Sequence, residues 1–168
     1  FIGRLALNKD LPTLIDAAAV LARQGVEFRL LLAGEGEERP MLERKVDELT
    51  LHDKVVFAGW VGPAQKADFF QDCDVICSPS EWDTQPLTVL ETFAWGKALV
   101  ATDIPGPSSC YEHERTALVV PPKDSVAMAA ALLRLKEDPA LRARLAANGR
   151  RQAMAEHADA EVARLLDL

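Results

Sequence analysis

Residues 28–59 read FRLLLAGEGEERPMLERKVDELTLHDKVVFAG, and the order of apolar and polar runs within them decides the fold class. FRLLLAG (28–34) and KVVFAG (54–59) are continuously apolar rather than alternating, the pattern of strands covered on both faces, and each closes on Gly. Residues 38–50 between them read as a helix. Strand, helix and a second buried strand make the unit from which parallel sheets are built.

The same alternation continues on both sides. DVICSPS (74–80), ALVATD (98–103) and TALVVPP (116–122) are further apolar runs closed by Ser, Asp or Pro. Helical stretches are expected at 11–24, 63–72, 86–95 and 124–136. The first of these sets Leu11, Leu14, Ile15, Ala18, Leu21 and Ala22 on one side. Pro63 and Pro86 suit first-turn positions, and Asp124 is a natural N-cap for SVAMAAALLRL. The tail from Pro139 to Leu168 is rich in Ala, Arg and Glu without a strand signal, and reads as one or two closing helices. FIGRL at the start reads as the end of a strand that begins upstream, so the chain is expected to be part of a longer protein. The expectation is α/β: an open, doubly wound, mostly parallel sheet of about six strands in a single domain, 1–168.

Composition narrows the function classes. With 168 residues, 49% hydrophobic and 27% charged, the chain matches an ordinary globular domain with one core. No apolar run approaches the roughly 20 residues that span a bilayer, and the start lacks a signal-peptide pattern. A net charge of −7 argues against nucleic acid or anionic membranes as general partners, so any phosphate site must be a local cluster of donors. Cys73, Cys77 and Cys110 are odd in number, and C-x3-C lacks zinc-ligand spacing. Cys77 reads as a small buried hydrophobe, and a reducing cytoplasm fits.

Ligands of such sheets bind beyond the carboxyl ends of the strands, which directs attention to four loops. In GRLALNKD (3–10), Arg4 and Lys9 either clamp a diphosphate or are two solvated cations. In AGEGEERP (33–40), Gly34 and Gly36 resemble the opening of a dinucleotide fingerprint or form a plain tight turn. Arg39 stands where the third glycine is needed, and Glu35, Glu37 and Glu38 repel a pyrophosphate, so a nicotinamide-dependent oxidoreductase is disfavoured. In GWVGPAQ (59–65), Trp60 and Val61 offer an apolar wall for a flat base, or simply pack. WDTQPLTVLETFAWG (82–96) opens a helix at Pro86 with Thr84 or Gln85 as its cap. The amides of Leu87 and Thr88 are then unpaired first-turn donors at the positive end of the helix dipole, an anion site. Leu87, Leu90 and Ala94 are expected as its buried stripe. Glu91 leans back toward the first turn, where a carboxylate suits a vicinal diol; the alternatives are a solvated Glu91 and an Asp83 that complements the dipole.

Taken together these loops resemble the donor-binding, C-terminal half of GT-B glycosyltransferases, specifically the large retaining group 1 family. GRLALNKD is similar to its G-R…K-G opening, and LLLAGEGEERPML to its strand followed by G-x-G and a helix. DVICSPSEWDTQPLTVLETFAWGKALVATD is similar to its E-x7-E segment, and TALVVPPKD to T-G-L-L-V-P-x-D. The likeness runs in order to about residue 150. It implies that Arg4 and Lys9, beside Gly3, hold the diphosphate, that Asp83 contacts the donor sugar, and that Glu91 binds the ribose hydroxyls. Leu87 and Thr88 would receive phosphate or sugar oxygens, with Gln85, Trp60 and Val61 also around the donor.

A family member of this kind uses a nucleotide-diphosphate sugar as substrate with no cofactor and usually no metal. It takes its sugar, lipid or glycan acceptor in a separate N-terminal domain, through which peripheral membrane association is also open. The resemblance also has departures: Asp83 replaces Glu, Ser109 stands where a Glu is common, Ala117 replaces the Gly of T-G-L-L-V, and Asp10 replaces the Gly of K-G. They leave a second class in play, a non-catalytic nucleotide-binding or assembly module of the same fold.

Overall fold

The computed structural model of the chain describes residues 1–83 and 87–156. Its regular elements in chain order are α1 (Leu11–Arg23), β1 (Leu30–Ala33), α2 (Arg39–Glu48), β2 (Val55–Gly59), α3 (Pro63–Asp72) and β3 (Val75–Ser78). They are followed by α4 (Leu87–Ala94), β4 (Ala98–Thr102), β5 (Leu118–Val120), α5 (Ser125–Glu137) and α6 (Pro139–Glu156). Short 3-10 turns occur at Leu7–Lys9 and Pro107–Cys110.

All strand pairing among the described residues is parallel. β1 pairs with β2, Leu30 opposite Val55, while β3, β4 and β5 form a second ladder in that order, with Val75 opposite Ala98 and Val100 opposite Leu118. Five strands are thus seen among the described residues, where the apolar runs predict about six. The sixth position is held by Ile2, in an isolated parallel bridge to Ala33. Phe1 O accepts from Ala33 N and Gly3 N donates to Ala33 O, both at 2.9 Å. The run before Gly3 has only two residues, too few for a ladder.

Helices cover both faces of the sheet, which explains why its strands lack alternation. Leu30, Leu32, Cys77, Ala98, Val100 and Leu118 pack into one core with α1, α2 and α5. Ile76, Leu99, Ala101 and Ala117 point the other way, into a second core with Phe69 and Phe70 of α3 and Val89 and Phe93 of α4. Helix α6 serves both, giving Leu141 and Leu145 to the first and Ala153 to the second. Where α6 passes α4, a Cβ on Gly149 would lie 2.4 Å from the Phe93 ring, so that position admits only a hydrogen. The Asp124 cap forms as its sequence predicts, its carboxylate accepting from Ala127 N at 2.8 Å. Cys77 is buried and unpaired. No helix among the described residues is long and apolar enough to cross a membrane.

Candidate functional site

The first two loops at the carboxyl edge are built as one piece. Leu5 N donates to Glu35 O at 2.9 Å and Glu38 N to Leu5 O at 3.1 Å, so the backbone of loop one lies directly on that of loop two. A Cβ on Gly34 would fall 1.8 Å from Gly3 O, and one on Gly36 would fall 2.2 Å from Leu5 O. The glycine pair is therefore neither a dinucleotide fingerprint nor a plain tight turn; both glycines are required by the approach of loop one. Arg39, in the third-glycine position, is clamped by Glu35 at 2.6 Å and Glu43 at 2.8 Å and lies over the Phe57 ring. Arg4 bonds Glu37 at 3.0 Å but is 72% exposed, and a solvated pair of this kind contributes little.

The second half of loop one turns to the opposite partner. Asn8 Nδ2 donates to Trp82 O at 3.1 Å, and Glu81 N donates to Asn8 O at 2.9 Å. Lys9 Nζ reaches Asp83 Oδ2 at 2.5 Å in a half-buried ion pair. Lys9, Asp83, Ser80 and Ile2 line a small cavity of about 20 Å³ together with Thr88 from the first turn of α4. The cationic loop and the beginning of α4 therefore face each other. Behind them Tyr111 donates to Thr102 O at 2.7 Å and Thr102 to Ser80 O at 2.5 Å, bonds that fix the floor. Burial raises the Tyr111 hydroxyl well above its ordinary value, with the charges of Asp103 and Asp83 acting in the same direction. A far larger cavity, of about 1000 Å³, opens at the amino ends of β1 and β3 beside Leu30 and Val75, away from these loops.

Thr84, Gln85 and Pro86 lie outside the described residues, and with them the expected cap, the first-turn proline and the Gln85 contact. Leu87 and Thr88 begin the described helix, and Thr88 Oγ1 donates to Ile2 O at 3.2 Å. The expected stripe of Leu87, Leu90 and Ala94 needs correction. Leu87 is exposed and Leu90 half-buried, while Val89, Thr92, Phe93 and Ala94 are buried. Apolar residues lie nearly all round α4, so its orientation is set by its neighbours rather than by its own period.

Glu91 is 12% exposed rather than solvated, and its Oε1 takes a hydrogen bond from Lys66 Nζ of α3 at 2.5 Å. Lys66 carried no signal in the sequence, because its partner is 25 residues away on another helix. Trp60 is 73% exposed, with its ring edge close over Gly62 rather than in a core, whereas Val61 packs against the core under α3 and α4. Among the departures, Asp10 occupies the left-handed region at φ 43°, the reason a glycine suits that position. Its carboxyl is buried with Oδ2 unpartnered among the described residues, and burial pushes it above the usual carboxylate range, partly offset by Thr13. Ser109 bonds Gly106 O at 2.7 Å on the surface, and Ala117 is fully buried.

Residues 1–152 match the model of the family described as glycosyl transferases group 1. The lipopolysaccharide core biosynthesis glycosyltransferase LpsD of Rhizobium meliloti is 39% identical over 150 residues, 88% of this chain and 41% of LpsD. Among solved structures, sucrose-phosphate synthase from Thermosynechococcus elongatus superposes with a TM-score of 0.87 at 30% identity, over 98% of this chain and 42% of that one. Anabaena HepE in complex with UDP-glucose superposes with a TM-score of 0.83 at 25% identity, over 99% of this chain and 45% of HepE. The chain thus spans about two fifths of the length of the curated relatives it matches, 38% and 41% for two of them.

Proposed function

The chain belongs to the group 1 glycosyltransferases, with the Rossmann-like architecture of one half of a GT-B enzyme, and from that premise we propose that it binds the nucleotide-diphosphate sugar of a retaining, metal-independent hexosyltransferase. The acceptor is taken by a further domain of the whole protein, which works in the cytoplasm. The observation that supports this reading is the meeting of Lys9, Asp83 and Thr88 around one small cavity at the carboxyl edge.

Each group has a chemical task there. Lys9, now neutralised by Asp83, exchanges that carboxylate for the diphosphate, and Arg4 exchanges Glu37 in the same way. The first-turn amides of α4 add donors whose dipoles point at the anion. As the glycosidic bond breaks, negative charge grows on the leaving diphosphate, and donors fixed in advance stabilise it more than they stabilise the ground state. Asp83 accepts from a hydroxyl of the donor sugar, and Glu91 accepts from the ribose. Gly3 offers its backbone to the ligand beside Arg4, and Leu87 stands at the start of the described part of α4. Trp60, largely exposed, offers a flat face to the base, with Val61 next to it in the same loop.

Thermal unfolding of the 168-residue chain with UDP, GDP, ADP and UDP-glucose tests this reading. Binding to the folded state raises the melting temperature by mass action, so at least one nucleoside diphosphate must produce a dose-dependent rise that Lys9→Met abolishes. A chain indifferent to all of them refutes it. Binding without any sugar hydrolysis or transfer by the whole protein identifies the non-catalytic module instead.

A further inference from the structure

Glu91 and Lys66 raise a question that donor binding alone leaves open. A carboxylate only 12% exposed needs a compensating partner, and α4 supplies none; it comes from α3, as the ammonium of Lys66, itself 26% exposed. The bond is monodentate: Nζ sits 2.5 Å from Oε1, and among the described residues no donor reaches Oε2. One oxygen is fixed and the other is left to accept. The residue type fits this division, because an ammonium is a point charge, whereas a guanidinium fork takes both oxygens of a carboxylate. Lys66 also stands one turn into the helix that follows Trp60 and Val61, so it ties that loop to α4.

The geometry points to Lys66 as the positioning residue that aims the second oxygen of Glu91 at the ribose hydroxyls of the donor, and so sets the preference for ribose; this rests on the donor-binding reading above. Lys66 touches no ligand in this scheme. It holds the Glu91 side chain in one rotamer and keeps Oε2 vacant for the diol, so that the ribose is met by a carboxylate already in place. A salt bridge that merely joined α3 to α4 would affect all nucleotides alike.

The test is a ratio. The 168-residue chain and its Lys66→Met, Lys66→Arg, Glu91→Gln and Lys66→Met/Glu91→Gln variants are titrated with two ligands. One is whichever of UDP, GDP and ADP the wild type binds most tightly, and the other is its 2′,3′-dideoxy counterpart. The wild type should prefer the hydroxyl-bearing form by roughly tenfold or more, the worth of a charge-assisted hydrogen bond. Lys66→Met should bring that ratio close to one, and Lys66→Arg should lower it with folding intact. The double variant should show no smaller ratio than Glu91→Gln alone, because the two residues act as a unit. A wild-type ratio kept in Lys66→Met and Lys66→Arg but lost in Glu91→Gln overturns the role of Lys66 and leaves the donor site standing. A wild-type ratio of one overturns both. Should Lys66→Met fail to fold, Lys66→Arg decides.

Discussion

Replacing Gly34 with Ala tests whether the first two loops are one rigid piece. The added Cβ would lie 1.8 Å from Gly3 O, against a backbone atom that has no rotamer to escape into. Contacts under 3.0 Å are essentially never seen for a Cβ, so the loops must part by about 1 Å. That movement stretches the Gly3 N to Ala33 O and Leu5 N to Glu35 O bonds, both 2.9 Å, beyond useful length. Two lost backbone bonds cost about 2 kcal/mol. Holding Ala at φ +134° adds roughly 1–3 kcal/mol. The sum, about 4 kcal/mol, lowers the melting temperature by roughly 8–16 °C for a chain of this size. Gly25 is the internal control: it has φ +71° but nothing within 4 Å of a Cβ, so Gly25→Ala carries only the backbone term of about 1–2 kcal/mol. Melting followed by circular dichroism compares the two. If Gly34→Ala unfolds no earlier than Gly25→Ala, the seam does not exist as described.

Other expectations follow from the same geometry. Asp83→Asn frees Lys9 and removes a carboxylate beside the anion, so bare nucleoside diphosphate should bind tighter by about 1 kcal/mol by titration calorimetry while sugar transfer by the whole protein falls. Asp10 is protonated more readily in the fold than in the unfolded chain, so its contribution to stability is greatest at or below the ordinary carboxylate value near 4 and declines as pH rises from there through the raised folded value. Asp10→Asn should flatten that part of a urea-midpoint profile against pH, and Asp10→Gly should in addition gain about 1 kcal/mol from the relieved left-handed backbone. Tyr111→Phe leaves the buried Thr102 carbonyl without its donor and should cost about 1–3 kcal/mol in urea melts. Arg4→Ala should weaken diphosphate binding most at low salt, since an exposed cation is screened.

The layered architecture was legible because it is written in local patterns. Continuous apolar runs mark the five described strands to within a few residues, and the Asp124 cap locates α5. What stayed hidden depends on residues far apart in sequence. The reason for Gly34 and Gly36 is the backbone of residues 3–5, about thirty positions earlier. The partner of Glu91 is on α3, a helix whose polar face has no distinguishing period. The face that α4 buries is chosen by α6, β3 and β4, against which it packs. In the sequence Lys9 is a lone cation and Asp83 a lone acid, and their pairing across 74 positions appears only in three dimensions.

Residues 3–9 are bonded at one end to β1, through Ala33 and Glu35, and at the other to the segment after β3, through Glu81, Trp82 and Asp83. The two ladders of the sheet are thus strapped together by a single short run of chain that carries Arg4 on one anchorage and Lys9 on the other. Each core draws side chains from both ladders, Leu30 with Val100 in one and Ala33 with Leu99 in the other, so the strap reinforces at the ligand edge a joint that packing already makes beneath it. A dianion held by both cations would therefore tie the two ladders together a second time, at the edge where the strap is anchored.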